Sequence, residues 1–353
     1  MDERIPLIEA SGTQREIGRQ VGEAAREVFA RGVADYRERF PVLCGFPFEE
    51  AVERARAYER PMTDYLPGAA EQLRGMAEGA GVPFEYLMAL NCSEEFTCAA
   101  DWAWPPKGHC TSFAFLAGER VVSGHNEDWY PEDVEALVVR RVRVASGAEY
   151  ISVGPAYYLP ITGISVRGFS SAANTLYCRD ERVGVPNNSI LLGVLESDGV
   201  DEAAALIAGA TRARGSNHLL AGADGRILDV ETSATRLARL GDDACFSHTN
   251  HYLAPELALD DASRSEGSPL RLARAQELLA EGLEAGGDPV ALAQRVLCDH
   301  ANAPNSICAH VNDDDPEGDR SITTVSMVWE PVERLAHVAA GVPCEHEYVT
   351  YGL

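Results

Sequence analysis

The spacing of apolar residues along the chain changes abruptly near residue 105, from a helical to a strand-like pattern. This change restricts the fold more than any other feature of the sequence. Before it, apolar residues recur mainly at helical spacing, as in the stretch that follows the Thr13-x-x-Glu16 capping box. Residues 102–108 contain two prolines and a glycine, so they cannot continue a helix and are predicted to form a loop. After them, short strand-like segments alternate with pairs of helices. This order predicts an α+β fold in which antiparallel sheets are covered by helices.

The spacing of apolar residues places the individual elements along the chain. Helices are predicted at 49–60, 69–78, 83–95, 189–196, 201–211, 268–283 and 289–297, with Pro61 and Pro67 separating the early ones. Strands are predicted at 110–116, 120–125, 136–144, 150–153, 161–166, 169–173, 218–222, 227–232, 236–240, 245–248, 322–329, 334–339 and 348–351. The sequence contains no internal repeat and no low-complexity linker.

Charge and cysteine content exclude several classes of function. A formal net charge of −25 repels nucleic-acid phosphates and anionic membranes, so neither is an expected partner. No apolar run is long enough to span a bilayer, and residues 1–6 carry acids where a signal peptide has basic residues. The nine cysteines are odd in number and irregularly spaced, which argues against a secreted disulfide framework. The cytoplasm is therefore the expected location.

Several chemically reactive side chains gather at one predicted hairpin. If its turn is centred on residues 117–118, cross-strand pairing places Cys110 roughly opposite His125. Asn126 and Asp128 then lie just beyond, at the same end of the sheet. A slip of one residue would change the face on which each side chain lies, but all four would remain at this end. A candidate nucleophile, an amide and a carboxylate therefore converge on one place.

Three motifs in the sequence resemble those of a known family. They are residues 108–112 (GHCTS), 124–129 (GHNEDW) and 248–251 (HTNH). At this spacing they are similar to the acyl-coenzyme A:isopenicillin N acyltransferase family of N-terminal-nucleophile hydrolases. The resemblance extends from residue 12 to the segment 341–343, and the first two motifs are its specific part. One position departs from the family pattern, because His109 stands where better-known relatives have glycine directly before the nucleophile.

The resemblance implies a catalytic role for three residues. Cys110 would be the nucleophile and would become a new N-terminus when the precursor cuts its own His109–Cys110 bond. The freed α-amino group, with an ordinary pKa of about 8, would act as the general base. Asp128 would hold and orient that amine, and Asn250 would donate to the oxyanion of the tetrahedral intermediate. Asn126, His125 and Arg320 would have supporting roles, and Arg320 is aligned only by its approximate position.

The resemblance also implies an architecture and a reaction. The expected fold is a four-layer αββα sandwich, with two antiparallel sheets between helical layers. Self-cleavage would leave residues 1–109 as a small, mainly helical chain tightly bound to a large chain of residues 110–353, so that residues 1–353 would form a single folding unit. The enzyme would transfer the acyl group of a small-molecule or peptide-like amide through a thioester, either to water or to a second amine. No cofactor is expected, and coenzyme A would enter only as an acyl-thioester substrate.

Other hypotheses remain open for the same residues. A cysteine beside a histidine is also the arrangement of a thiol hydrolase, in which His125 would be the base for Cys110 without any self-cleavage. The chain could also be a member of the same fold that never matures and only binds its ligand.

A metal site is the third alternative. Cys298 with His300, and Cys308 with His310, form two Cys-x-His pairs whose ligand types suit zinc. Their spacing is not that of a common zinc motif, so no metal is expected.

Overall fold

The computed structural model describes residues 5–98, 110–241, 244–258, 261–262, 265–315 and 320–353. The predicted loop at 102–108 and residue His109 lie outside these ranges. No helix in the described part of the chain combines the length and apolar character needed to cross a membrane.

The first part of the chain is one strand followed by helices. These elements are β1 (Leu7–Gly12), α1 (Gln14–Ala24), α2 (Arg26–Cys44), α3 (Phe48–Tyr65), α4 (Pro67–Ala80), α5 (Phe84–Asn91) and α6 (Ser93–Cys98).

The remainder alternates strands with helix pairs. Its first elements are β2 (Thr111–Ala117), β3 (Arg120–Trp129), a 3₁₀-helix (Pro131–Ala136), β4 (Leu137–Val144), β5 (Glu149–Pro155), β6 (Gly163–Ser165), β7 (Phe169–Leu176), α7 (Asn187–Glu196) and α8 (Val200–Gly209). The later ones are β8 (Gly215–Gly222), β9 (Ile227–Thr232), β10 (Leu237–Gly241), β11 (Cys245–His248), α9 (Gly267–Ala285), α10 (Pro289–Leu297), β12 (Ile322–Glu330), β13 (Leu335–Ala340) and β14 (Val349–Gly352).

The strands form two sheets. The eight-stranded sheet has the order β1-β4-β5-β6-β7-β8-β9-β10, and the six-stranded sheet has the order β11-β2-β3-β12-β13-β14. Strand β1 pairs in parallel with β4, whereas the other described pairings are antiparallel. Strand β3 is central in its sheet because it pairs with β2 on one side and β12 on the other.

The two sheets are stacked between helical layers. In β4, Leu137 and Val139 face β12 and β13 of the other sheet, whereas Val138 and Val142 face the N-terminal helices. Successive side chains of the strand thus point to opposite faces, and both faces are apolar. A strand needs this pattern when other layers cover it on both sides. Helices α7 and α8 also cover the eight-stranded sheet, and α9 and α10 cover the six-stranded sheet. The predicted four-layer αββα class is confirmed.

The N-terminal helices show where local sequence rules hold and where packing overrides them. Thr13 and Glu16 form the predicted capping box at the start of α1. Pro61, however, does not end a helix but lies inside α3. Proline removes a backbone hydrogen bond and clashes with the preceding turn, so its presence is costly. The buried contacts of Tyr58 and Met62 on either side of it keep the helix continuous, because tertiary packing supplies most helical stability.

The hairpin of β2 and β3 has a different register from the predicted one. Ala117 pairs with Arg120, so the turn consists of residues 118–119, and His125 lies opposite Ser112. Glycine at position 118 has a φ of +65°, which the first central position of a type II′ hairpin turn requires. The last pair of the ladder is Thr111 with Asn126. If the same pairing is extended by one residue, Cys110 lies opposite residue 127 rather than residue 125. The difference is two residues, an even number, so each side chain keeps its predicted face.

Helices α1 and α4 approach each other until their backbones touch. A Cβ atom added to Gly18 would lie 2.0 Å from the carbonyl oxygen of Gln72, and one added to Gly75 would lie 2.1 Å from that of Arg15. Neither carbonyl can move without disturbing its helix. The absence of a side chain at these positions therefore sets the distance between the two helices.

We expect Gly75→Ala to lower the free energy of unfolding by about 1–3 kcal/mol, because the methyl group forces the two helices apart. Gly68→Ala is the matched control on the same helix, since its methyl group would meet the movable Gln14 side chain at 3.3 Å. Thermal and urea unfolding of both variants measures the difference. Equal stability of the two variants would show that the helices are not in backbone contact.

Candidate active site

Cys110 lies directly before β2 and is almost completely buried, with 5% of its surface exposed. Its Sγ is 3.4 Å from Oε1 of Glu127. Burial raises the pKa of the Cys110 thiol well above its usual range, and the negative charges of Glu127 and Asp128 raise it further. The thiol is therefore protonated at neutral pH. It needs a base before it can act as a nucleophile.

Asp128 lies near the end of β3, buried beside this thiol. Its Oδ1 accepts a hydrogen bond of 2.6 Å from the Thr323 hydroxyl. Its Oδ2 is also buried and has no hydrogen-bond partner among the described residues. Burial raises the pKa of Asp128 to about 8, although the Thr323 hydrogen bond and the Arg271 charge act in the opposite direction. The uncut chain thus holds a protonated carboxyl with one oxygen available to a new donor.

Asn126 and Thr323 attach β3 to the segment between α10 and β12. The amide nitrogen of Asn126 donates to the carbonyl oxygens of Leu297 and Ile307, at 2.9 Å each. The Thr323 hydroxyl, which donates to Asp128, accepts a 3.0 Å hydrogen bond from the backbone N–H of Ala309. In this structure Asn126 positions β3, and its described contacts do not include Cys110.

Arg271 of α9 joins Cys110 to Asn250. Its guanidinium is fully buried and donates to the carbonyl oxygen of Cys110 at 2.6 Å and to the Thr111 hydroxyl at 3.0 Å. It also donates to Oδ1 of Asn250 at 3.1 Å. Burial lowers the pKa of Arg271 to about 10, and the nearby Asp128 opposes this shift, so the side chain stays charged at neutral pH.

This contact also fixes the orientation of the Asn250 amide. A guanidinium can only donate, so the Asn250 atom that faces Arg271 must be the oxygen. The amide nitrogen therefore points the other way and donates one hydrogen bond to the carbonyl oxygen of Thr175 at 3.1 Å. Since an amide nitrogen carries two N–H groups, a second donor remains for a ligand. Asn250 can thus serve as the predicted oxyanion donor.

The loop that carries Asn250 is held by a buried ion pair. Nε2 of His248 lies 2.7 Å from Oε1 of Glu231, and the Glu231 carboxylate also accepts from the backbone N–H groups of Leu253 and Ala254. Burial lowers the pKa of His248, but the carboxylates of Asp229 and Glu231 outweigh it and raise the pKa overall. His248 therefore has a structural role.

The remaining predicted residues lie in different surroundings. His125 is buried, and its Nε2 is 3.0 Å from Oε2 of Glu127, so the carboxylate of Glu127 contacts both His125 and the Cys110 thiol. Arg320, with 37% of its side chain exposed, lies 3.9 Å from Oδ1 of Asp313. Its described contacts do not include the nucleophile. His109, the residue before the predicted cut, lies outside the described part of the chain.

A cavity that is partly open to solvent lies beside these residues. Glu127 and Thr175 connect it to the site, because one contacts the Cys110 thiol and the other accepts from Asn250. Apolar side chains form much of the remaining wall, namely Trp129, Pro155, Tyr158, Ile161 and Leu191. The polar part of the wall includes Glu94, Asn187, Asn188 and Arg214. A mainly apolar cleft with a few fixed polar groups is typical of a small-molecule site.

The sequence matches a known protein family over residues 116–344, well over half of its length. That family is described as acyl-coenzyme A:6-aminopenicillanic acid acyl-transferase. The chain belongs to this acyl-transferase family. The matched region contains Asp128 and Asn250 but begins after Cys110, so the role of Cys110 depends on the motif and on the geometry described above.

Solved structures with a similar fold include two hydrolases. Penicillin V acylase from Agrobacterium tumefaciens is 13% identical, with a TM-score of 0.40 over 65% of this chain and 83% of that one. A variant of conjugated bile acid hydrolase from Clostridium perfringens is 11% identical, with a TM-score of 0.46 over 69% of this chain and 97% of that one. No curated protein sequence matches this member of the acyl-transferase family significantly.

The sequence motifs of the family do not include Arg271, although a signal for it is present in α9. The buried face of that helix contains Ser268, Leu272, Ala275 and Leu279 at helical spacing, and position 271 falls on the same face. Arginine is almost never fully buried unless it is paired. A charged residue on the apolar face of an amphipathic helix therefore indicates a buried polar contact.

We expect Arg271→Met to lower the free energy of unfolding by about 2–6 kcal/mol, because the buried acceptors on Cys110 and Asn250 lose their donor and each unsatisfied acceptor costs about 1–3 kcal/mol. Urea unfolding of the variant in a Cys110→Ala background, which prevents any self-cleavage, measures this loss.

Arg274→Met is the matched control one turn along the same helix. Its guanidinium pairs with Asp299 and Glu277 near the surface, where such pairs contribute about 0–1 kcal/mol. Similar losses in the two variants would contradict a central role for the Arg271 contacts.

Proposed function

We propose that the chain is a self-processing cysteine amidohydrolase or acyltransferase of the N-terminal-nucleophile type. The observation that carries this proposal is the buried Oδ2 of Asp128, which lacks a hydrogen-bond partner among the described residues. A cut before Cys110 creates a positively charged α-amino group close to this carboxyl. Such a group supplies the donor and the counter-charge that the buried oxygen lacks.

Self-cleavage begins with proton transfer from the Cys110 thiol to the Glu127 carboxylate, which lies 3.4 Å away. The sulfur attacks the carbonyl carbon of His109, and the C–N bond between the two residues breaks. The leaving amine takes the proton of Asp128, which therefore becomes a carboxylate, and then takes the proton held by Glu127 to become an ammonium group. Water then hydrolyses the thioester, which leaves a carboxyl group on His109 and a free thiol on Cys110.

Residues 1–109 remain attached to the rest of the protein in this proposal. The helices of residues 14–98 share one continuous core with β4 and β5, so most of their apolar surface stays buried after the cut. A broken peptide bond removes none of these contacts. The small and large chains therefore behave as one folding unit.

In the mature enzyme the α-amino group of Cys110 is the general base. Its ordinary pKa of about 8 allows it to accept the thiol proton at neutral pH, and ionised Asp128 orients it. The thiolate attacks the substrate carbonyl, and the second N–H of Asn250 stabilises the oxyanion. The amine leaves with a proton, and water or a second amine then releases the acyl group from Cys110.

The expected substrate is a small-molecule or peptide-like amide with an apolar acyl group. The aromatic and aliphatic side chains of the cavity wall favour such a group, and the polar part of the wall is available to the amine side. Membership of an acyl-coenzyme A acyl-transferase family also makes an acyl thioester a candidate acyl donor.

The geometry offers less support for an uncut thiol hydrolase. Nε2 of His125 contacts Oε2 of Glu127, while Oε1 of the same carboxylate contacts the Cys110 thiol. The imidazole therefore reaches the sulfur through Glu127 rather than by a direct hydrogen bond. This chain of contacts is suited to the single proton transfer that starts self-cleavage.

We expect the purified wild-type protein to yield two intact masses, for residues 1–109 and 110–353, and Cys110→Ala to yield one uncut mass. The mature protein should also form a thioester on Cys110 when it is mixed with amide or acyl-thioester substrates. Mass spectrometry after acid quenching detects both.

Cys178→Ala is the control, because this second buried cysteine lies outside all three motifs and its variant should still be cut. A wild-type chain that stays whole would overturn the self-processing proposal. A cut protein that never carries an acyl group would instead favour a binding function.

We expect Glu127→Gln to slow self-cleavage by about 10²-fold or more, because glutamine cannot accept the thiol proton. We also expect wild-type cleavage to slow above about pH 8, where Asp128 loses the proton that the leaving amine needs. Timed gel analysis of protein made by cell-free translation measures both rates. The control is Glu132→Gln at an exposed position, and a variant at 127 that matures at the wild-type rate would contradict the role of Glu127.

A further inference from the structure

Four metal-binding side chains outside the candidate active site meet at the protein surface. His300, Cys308, His310 and Cys344 each place one donor atom within 4.8 Å of the others. Nε2 of His310 is 3.1 Å from Nε2 of His300, 3.3 Å from Sγ of Cys344 and 3.8 Å from Sγ of Cys308. Two thiols and two imidazoles form one of the common ligand sets of structural zinc sites.

These distances agree with tetrahedral coordination. Zinc–nitrogen bonds of about 2.0–2.1 Å and zinc–sulfur bonds of about 2.3 Å place neighbouring donor atoms about 3.3–3.8 Å apart. The separations around His310 are 3.1, 3.3 and 3.8 Å, close to that range. Small side-chain rotations would admit the ion, with no change in the backbone.

The surroundings of His310 resemble those of a metal ligand. Its Nδ1 lies 3.7 Å from Oε1 of Glu345, on the side of the ring away from the cluster. Metal-binding histidines commonly present their other ring nitrogen to a carboxylate, which fixes the tautomer and directs the free nitrogen at the metal. The Glu345 carboxylate therefore lies on the Nδ1 side of the ring, whereas Nε2 faces the other three donor atoms.

We propose that His300, Cys308, His310 and Cys344 bind a structural zinc ion. Four protein ligands fill a tetrahedral site, so no position remains for a catalytic water. The proposal differs from the sequence-based expectation of no metal, and it also differs from the Cys-x-His pairing, because Cys344 takes the place of Cys298. It does not depend on the proposed enzymatic function.

The zinc ion would join three parts of the chain that lie beside the candidate active site. His300 follows α10, Cys308 and His310 precede β12, and Cys344 follows β13. The last residue of α10 and the segment between α10 and β12 also accept the hydrogen bonds of Asn126, and the segment positions Thr323 against Asp128. Zinc would thus hold in place the backbone that supports the Asp128 carboxyl.

The test is the metal content of the full-length protein, purified with added zinc sulfate under reducing conditions and then freed of loosely bound metal. We expect about one zinc ion per chain by inductively coupled plasma mass spectrometry, in the wild type and in Cys110→Ala alike. His310→Gln and Cys344→Ser should lose at least nine-tenths of it, as expected when a tetrahedral site loses a ligand. Both positions are exposed, so neither change disturbs the core.

Cys298→Ser is the matched control, because this cysteine is two residues from His300 but outside the four, and its variant should keep the zinc. Cobalt(II) in place of zinc should give thiolate charge-transfer absorption in the wild type that Cys344→Ser lacks. A chelator should lower the Tm of the wild type and leave that of Cys344→Ser unchanged.

Three results would overturn the proposal. The first is a wild-type protein without stoichiometric metal. The second is loss of metal from Cys298→Ser together with its retention in Cys344→Ser. The third is a mass that lacks two thiol hydrogens under the same reducing conditions, which would indicate a disulfide between Cys308 and Cys344. Because the measurement is repeated on Cys110→Ala, none of these results depends on whether the chain cuts itself.

Discussion

The candidate site depends on one buried guanidinium. Arg271 is surrounded by protein on all sides, and placing a charge there costs several kcal/mol unless other groups compensate. Compensation comes from the carbonyl oxygen of Cys110, the amide oxygen of Asn250 and the charge that Asp128 can carry. These groups come from parts of the chain that are distant in sequence. A single side chain thus fixes Cys110 and Asn250 relative to each other.

Strand β3 brings the carboxyl groups to the same place. In a regular strand, Glu127 and Asp128 would point to opposite faces, and only one of them would act on Cys110. The pairing of β3 with β12 is irregular at this point, between the partners Thr323 and Val325. The extra residue, Thr324, belongs to β12, and its hydroxyl donates to the backbone oxygen of Glu127 at 2.9 Å. Both carboxyls nevertheless lie close enough to Cys110 for their charges to raise the pKa of its thiol.

The sequence predicts the layers better than the contacts within the site. The spacing of apolar residues reports which face of a helix or strand is buried, and it can be read from the local sequence. Helix α10 and strand β9 accordingly begin and end at the predicted residues. Strand β1 does not follow from local pattern, because it is short and pairs in parallel with the distant β4. The hairpin register depends on which residue takes a positive φ, and the predicted turn was displaced by one residue. The Arg271 contacts arise only when α9 packs on the six-stranded sheet. No local motif encodes this packing.

In the proposed mechanism one carboxyl group has two states, and the cut changes one into the other. Before the cut, burial holds the pKa of Asp128 near 8, so the group is neutral and can protonate the leaving amine. After the cut, the α-ammonium of Cys110 provides a nearby positive charge, which favours the carboxylate. The same residue therefore acts first as an acid and then as the partner of the catalytic base. In this mechanism Glu127 is the base for the cut, whereas the α-amino group that serves as the base for substrate turnover forms only when the bond is broken.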